Sequence, residues 1–188
     1  MGDVVRSLGG ISPALGGQVP PIRFRNLAFG SQQADVAAQL KDFACTAQRA
    51  DVMSFHGEVA GDAATVTARF TPVTGHLYAV QVEFEPEYHG SYQVLLVAYH
   101  RLRDVLVGKY GTPTTIEHAF QTPYVEGGGE ELKAIAVGWA RIAAGWITPE
   151  ATLAIELTTR RTPRISYVNV ALEEVDASER AAIAAESL

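Results

Sequence analysis

The sequence is short of several things. Cys45 is the single cysteine in 188 residues, so no internal disulfide can form and no cysteine cluster can hold zinc. Only three of the fifteen basic residues are lysines, and abundant Arg, Ala and Gly beside them point to a high-GC bacterial or phage genome. Acidic residues outnumber basic ones, 21 to 15, for a net charge of −6. That balance argues against a nucleic-acid partner and against a polybasic membrane contact. No stretch reaches the roughly 18 apolar residues of a membrane-spanning helix. The first twenty residues carry Gly and Pro where a secretion signal has a continuous apolar core. Arg6 breaks the myristoylation pattern that Met1-Gly2 begins. The absence of a visible signal favours the cytoplasm, or the periplasm if a leader has been removed.

What is present is ordinary globular material, 47% apolar and 19% charged, enough for a sizeable core without disulfide or metal. Residues 1–21 lack periodicity and end in Pro20-Pro21, which predicts an irregular N-terminal arm. Residues 22–188 then read as one α+β domain with halves of roughly 22–87 and 88–188.

Local patterns predict the elements. A helix opens near Ser31 and carries Val36, Ala37, Leu40, Phe43 and Ala44 on one face, fading near Thr46. Strands are expected at 52–59, 64–70 and 77–85. In the last of these Tyr78, Val80, Val82 and Phe84 lie opposite Leu77, Ala79, Gln81 and Glu83. A second helix is expected, capped by Ser91, striped by Tyr92, Leu95, Leu96, Tyr99, Leu102 and Leu106, and stopped by Gly111 and Pro113. Strands are expected at 115–122, 133–142, 151–158 and 164–172. Asp176 with Glu179 reads as a capping box that opens a short final helix.

Two segments resemble each other. ATVTARFT (64–71) matches ATLAIELT (151–158), and LYAVQVEFE (77–85) matches ISYVNVALE (165–173), with Val80 on Val168 and Gln81 on Asn169. This predicts two helix-plus-β-meander halves in one antiparallel sheet, with helices on one face. The other face is left to solvent. It would carry Thr65, Thr67, Arg69, Gln81, Glu83 and Glu85, and from the second half Thr152, Glu156, Tyr167 and Asn169.

The helix end L-x-x-x-L-V-x-K-Y-G-x-P (102–113), the strand with Trp139, I-x-L (155–157) and the closing strand with Tyr167 resemble small bacterial tandem α+β proteins. The layout is similar to the beta-lactamase-inhibitor-protein-like fold. FGSQQADVAAQL (29–40) resembles, more faintly, the opening of the outer-membrane-assembly lipoprotein family SmpA/OmlA. Ser31 stands where that family has methionine, and the lipobox cysteine is absent. The resemblance implies a non-enzymatic binding module that uses its open sheet face, and it carries over no catalytic residue.

Chemistry is sparse. There is no G-x-S-x-G elbow, and His89-Gly90-Ser91-Tyr92 reads as a helix cap. Cys45, at the expected helix end, reads as a buried small hydrophobe. Among His56, His76, His89, His100 and His118 no pair stands at i,i+4, and no H-E-x-x-H occurs. Glu85-Pro86-Glu87-Tyr88-His89 reads as a solvated acidic loop, and Glu117-His118 should point to opposite faces. Gly127-Gly128-Gly129 lacks the Lys-Ser/Thr ending of a phosphate loop. No spacing selects a catalytic carboxylate pair. Trp139 and Trp146 read as core anchors.

TTRRTPR (158–164) is the most polarised loop, suited to pairing with carboxylates. The expected function is protein binding without catalysis, cofactor or metal, through Arg160, Arg161, Arg164, Tyr167, Arg69 and Glu83. The expected partner is another protein or a second copy of the chain. The alternatives are a structural subunit docked by its arm, or a small-ligand protein with a pocket between sheet and second helix.

Overall fold

The computed structural model describes residues 20–85 and 91–186. Of the expected arm only Pro20 and Pro21 fall within them, and Glu87 and His89 of the acidic loop lie outside the described residues. The elements run α1 (Gln33–Gln39), β1 (Ala44–Gln48), β2 (Val52–Val59), β3 (Asp62–Phe70), β4 (Leu77–Phe84), α2 (Tyr92–Tyr110), β5 (Thr115–Phe120), α3 (Glu131–Ala136), β6 (Ala140–Ile147), β7 (Ala151–Leu157), β8 (Pro163–Asn169) and α4 (Val170–Glu186). The strands form one antiparallel sheet ordered β1-β2-β3-β4-β8-β7-β6-β5. Two four-stranded meanders, each preceded by a helix, therefore meet at their last strands. The α+β class and the two helix-plus-meander halves are borne out.

Strand alternation builds the core. Phe55, Val66 and Val82 lie side by side on β2, β3 and β4 and are buried, as are Leu153, Tyr167 and Ile165 on β7 and β8. Val36 of α1, Leu40 just after it, the 22–27 segment and the apolar stripe of α2 complete one continuous cluster. α2 stops where its residues require. Gly111 takes φ +79°, a conformation glycine adopts without penalty, and Pro113 follows. The Trp146 indole donates to the Gly111 carbonyl at 2.8 Å, and the Tyr110 hydroxyl donates to the Arg23 carbonyl at 3.0 Å.

The sequence expectations fail at places with local causes. The first helix ends at Gln39, and 44–48 form an edge strand. Phe43 leaves the helical stripe because its ring lies over Gly57. Cys45 is consequently exposed on β1 rather than buried at a helix end. The expected strand 133–142 divides into α3 and β6 around Gly138, which has φ +75°. Ser91 occupies the cap position of α2, but its side chain makes no capping bond.

α4 starts before the expected capping box. Asn169 caps it, its Oδ1 accepting from the Leu172 N–H at 2.9 Å. Asp176 is instead inside the helix, where both of its oxygens accept from the Arg180 guanidinium at 3.0 Å. Glu179 receives the Val73 and Thr74 N–H groups and the Thr74 hydroxyl, fastening α4 to the β3–β4 turn. β4 carries one extra residue opposite Arg69 and Phe70. Leu77 therefore pairs with Phe70 in the core, while Tyr78 meets Asp176 and Arg180.

The repeat is half right. Thr71 and Thr158, which it matches, both close a hairpin through a threonine hydroxyl pair, Thr71 with Thr74 at 2.7 Å and Thr158 with Thr162 at 3.0 Å. Val66 and Leu153 occupy equivalent core positions, as do Ala68 and Ile155. The second segment is slipped by three residues. The counterpart of Val80 is Ile165, not Val168, because these are the residues paired with Ala68 and Ile155. An odd slip exchanges the faces of a strand.

Two outcomes follow. A Cβ at Gly57 would stand 2.3 Å from Phe43 Cδ1, so Gly57→Ala should cost about 1–3 kcal/mol in urea unfolding. Asp51 is held below the ordinary carboxylate range by its hydrogen bond from Arg180, at 2.9 Å. A lowered folded value means stability that is full at neutral pH and is lost as pH falls through that value. Arg180→Gln should therefore lower the unfolding midpoint at neutral pH, and its difference from wild type should shrink below about pH 4.

Candidate interaction site on the open sheet face

Opposite the core, strand register lines up two rows of side chains. One row runs His56, Thr65, Glu83, Arg164, Glu156, Ala143, Glu117 from β2 to β5. The other runs Ser54, Thr67, Gln81, Ser166, Ala154, Gly145, Thr115. The first sets the Arg164 cation between Glu83 and Glu156, with Glu117 beyond Ala143, and the second is made almost entirely of small residues.

Arg164 is the centre of the charged row. Its Nε and Nη2 donate to Glu156 Oε1 at 3.1 and 2.5 Å. With its amide oxygen turned to the guanidinium, Gln81 accepts from the same side chain at 3.0 Å. Arg160 pairs with Glu83 at 3.3 Å, His56 with Glu85 at 3.3 Å, and Arg141 with Glu117 at 2.8 Å. Two hollows flank Arg164. One, of about 330 Å³, is lined by Thr65, Glu83, Glu85 and Arg160. The other, of about 470 Å³, is lined by Arg141, Ala143, Gly145, Ala154, Glu156 and Ser166.

The structure thus brings together Arg160, Arg164 and Glu83. Arg69 is exposed on β3 four residues beyond Thr65, at the end where α4 crosses β4. Arg161 sits at φ +62° in the β7–β8 turn and lines a different cleft, of about 600 Å³, with Ser91, Tyr92 and Lys133. Tyr167 does not belong to the surface. It is 6% exposed, packs its ring 5.9 Å from Phe24, and burial pushes its phenol up. The three-residue slip in the repeat is the reason, and it misplaces Asn169 as well. Trp146 is a core anchor as expected, whereas Trp139 is 43% exposed and stands edge-on to Tyr124.

One polar cluster escaped the sequence reading. The Tyr92 hydroxyl donates to Glu126 Oε1 at 2.8 Å, and His118 Nε2 lies 3.0 Å from the same oxygen. Burial, then the bond to Glu126, pushes the Tyr92 phenol well above its ordinary value, so it remains a donor. Among the described residues no serine, threonine or cysteine is bonded to His118. The cluster therefore works as a latch that holds the 121–129 loop against α2 and β5. Its members come from three segments, and no local spacing could have announced them. Glu117 and His118 do point to opposite faces, as alternation requires.

Comparison with protein-family models, with curated proteins and with solved structures gives no match for the chain. The class that the fold and this face define is an open-faced antiparallel α+β protein of two helix-plus-meander halves.

Arg164 and Arg160 should differ sharply on substitution. Arg164→Ala leaves Glu83 and Glu156 on either side of an empty position and should cost about 1–2 kcal/mol. Arg160→Ala removes an exposed pair and should change stability by less than about 0.5 kcal/mol. Urea titration of both variants checks the contrast.

Proposed function

We propose that this chain is a non-catalytic module that binds another protein through its open sheet face. The observation that carries the reading is the pairing of a charged row, in which Arg164 lies between Glu83 and Glu156, with a parallel row of small residues across the sheet. Small side chains let a partner approach the strands closely. The neighbouring charges then set orientation, since complementary charge patterns govern specificity and register more than raw affinity. A polyanion would be repelled by Glu83, Glu156 and Glu117, in keeping with the net charge of −6.

A small-molecule role is less well supported. The cleft at the start of α2 is lined by Glu130, Glu131, Lys133 and Arg161, whereas ligand pockets are mostly apolar with few polar groups. The tandem helix-plus-sheet resemblance implies the same binding class.

The test uses the full chain as bait in its native extract, beside Thr67→Arg and Ala154→Arg. Both substitutions put a long charged side chain on the row of small residues without touching the core. Partners retained by the wild type should be lost from both variants while their circular dichroism and thermal midpoints stay unchanged. Retention of the same proteins by the folded variants, or no protein retained by the wild type, would defeat the proposal.

A further inference from the structure

The sheet has two edges, β1 and β5. An edge strand offers unpaired N–H and C=O groups and recruits another strand unless it is blunted. The two edges here differ. β1 shifts register between Cys45 and Ala47, leaving Thr46 as an extra residue whose hydroxyl turns back to the Ser54 carbonyl at 3.2 Å. Such a bulge spoils the even spacing a new strand needs.

β5 has no such defence. It pairs with β6 without a shift from Thr115–Gly145 to Phe120–Ala140, and Gln121 continues the ladder to the Trp139 carbonyl at 2.8 Å. In an antiparallel ladder alternate residues turn their backbone groups inward. Gln121, Ala119, Glu117 and Thr115 do so, which leaves Ile116, His118 and Phe120 facing outward at regular spacing. Among the described residues no further strand takes these groups up. The strand contains no proline, residues 115–119 are exposed, and Ile116 is 66% exposed. Its one carboxylate, Glu117, is already neutralised by Arg141.

We infer that β5 is a self-association edge, where a second copy of this chain adds its own β5 antiparallel, centred on His118 of each copy. The register follows from the geometry. Outward-facing residues must meet outward-facing residues, and the symmetric pairing with the longest overlap has its dyad at His118. It sets Ile116 opposite Phe120 of the second copy, twice, an aromatic with a β-branched residue, which is a favourable cross-strand pair. On the other face Glu117 comes opposite the second copy's Ala119. Because Arg141 is the neighbour of Ala119 in each chain, a cation stands behind that alanine, and no carboxylate directly opposes another. Each His118 keeps its own partner, Glu126, with Nε2 at 3.0 Å from Oε1. The chain already uses this device internally: β4 and β8, the equivalent last strands of its halves, pair antiparallel about Gln81 and Ser166. The inference is separate from the open-face reading, since it uses the sheet edge and leaves that face uncovered.

The test is light scattering with size-exclusion chromatography on the full chain, over a dilution series from micromolar to sub-millimolar. The mass should double along the series. Ile116→Lys puts a charge on the outward edge, and Ile116→Pro removes an N–H that β6 does not use. Both should hold the single-chain mass throughout with the wild-type thermal midpoint, whereas Thr67→Arg should dimerise normally. In a Cys45→Ser background, His118→Cys should form a disulfide-linked dimer on mild oxidation, and wild type should not do so through Cys45. A constant single-chain mass for wild type, a doubled mass that survives both Ile116 variants, or cross-linking through Cys45 would each overturn the inference.

Discussion

The pairing of β4 with β8 is the contact on which the rest of the structure depends. Five residue pairs, Ala79–Val168 to Glu83–Arg164, join two meanders that would otherwise each end in a bare strand. On the core side the seam sets Val80 beside Tyr167 and Val82 beside Ile165, all buried. Full burial of such side chains contributes about 1.5–3 kcal/mol each. The helix of the second half also reaches across it, since Arg101 of α2 holds the Ala60 carbonyl and Asp62 in the β2–β3 turn. On the opposite side the same seam sets Glu83 next to Arg164 and Gln81 next to Ser166. One strand pair therefore assembles the core and the charged row together.

The two sides of the sheet obey different constraints. On the core side, volume decides: Phe43 needs Gly57 beneath it, and an extra residue in β4 is absorbed so that Leu77 can meet Phe70. On the open side, charge order decides. Arg164 touches Glu156 and Gln81 and lies between two glutamates, while Arg160 reaches in from the hairpin tip. Much of the first pattern could be read from hydrophobic alternation. The second depends on register, which spans strands distant in sequence.

That division explains what the sequence disclosed. α2 and β2 to β4 were legible because stripe, alternation and stop signals are local, as with Gly111 and Pro113. Arg160, Arg164 and Glu83 were legible as a basic loop and a polar strand face. Their grouping with Gln81 was not, because it depends on how β4 meets β8. Tyr167 falls on the wrong face in the sequence reading because residues 165–172 carry apolar side chains at both parities, Ile165 and Tyr167 on one and Val168 and Val170 on the other, and only pairing with Leu153 fixes the choice. Asp176 and Glu179 have the spacing of a helix start, but Asn169 caps the helix earlier, and the two carboxylates are committed to Arg180 and to the 73–74 amides. Cys45 followed a helical stripe that Phe43 abandons to cover Gly57.

The seam also sets the order in which the molecule can be made. Within each half, neighbouring strands are joined mostly by short turns, so their pairing closes small loops at little entropic cost. Val80 and Tyr167 stand more than eighty residues apart, and contacts of such long range slow folding. The first meander can form during synthesis while the second is still emerging, but its β4 edge must wait for β8, the last strand among the described residues. Until then the nascent chain carries an unpaired, strongly apolar strand, which makes the interval before the seam closes its period of greatest exposure to aggregation.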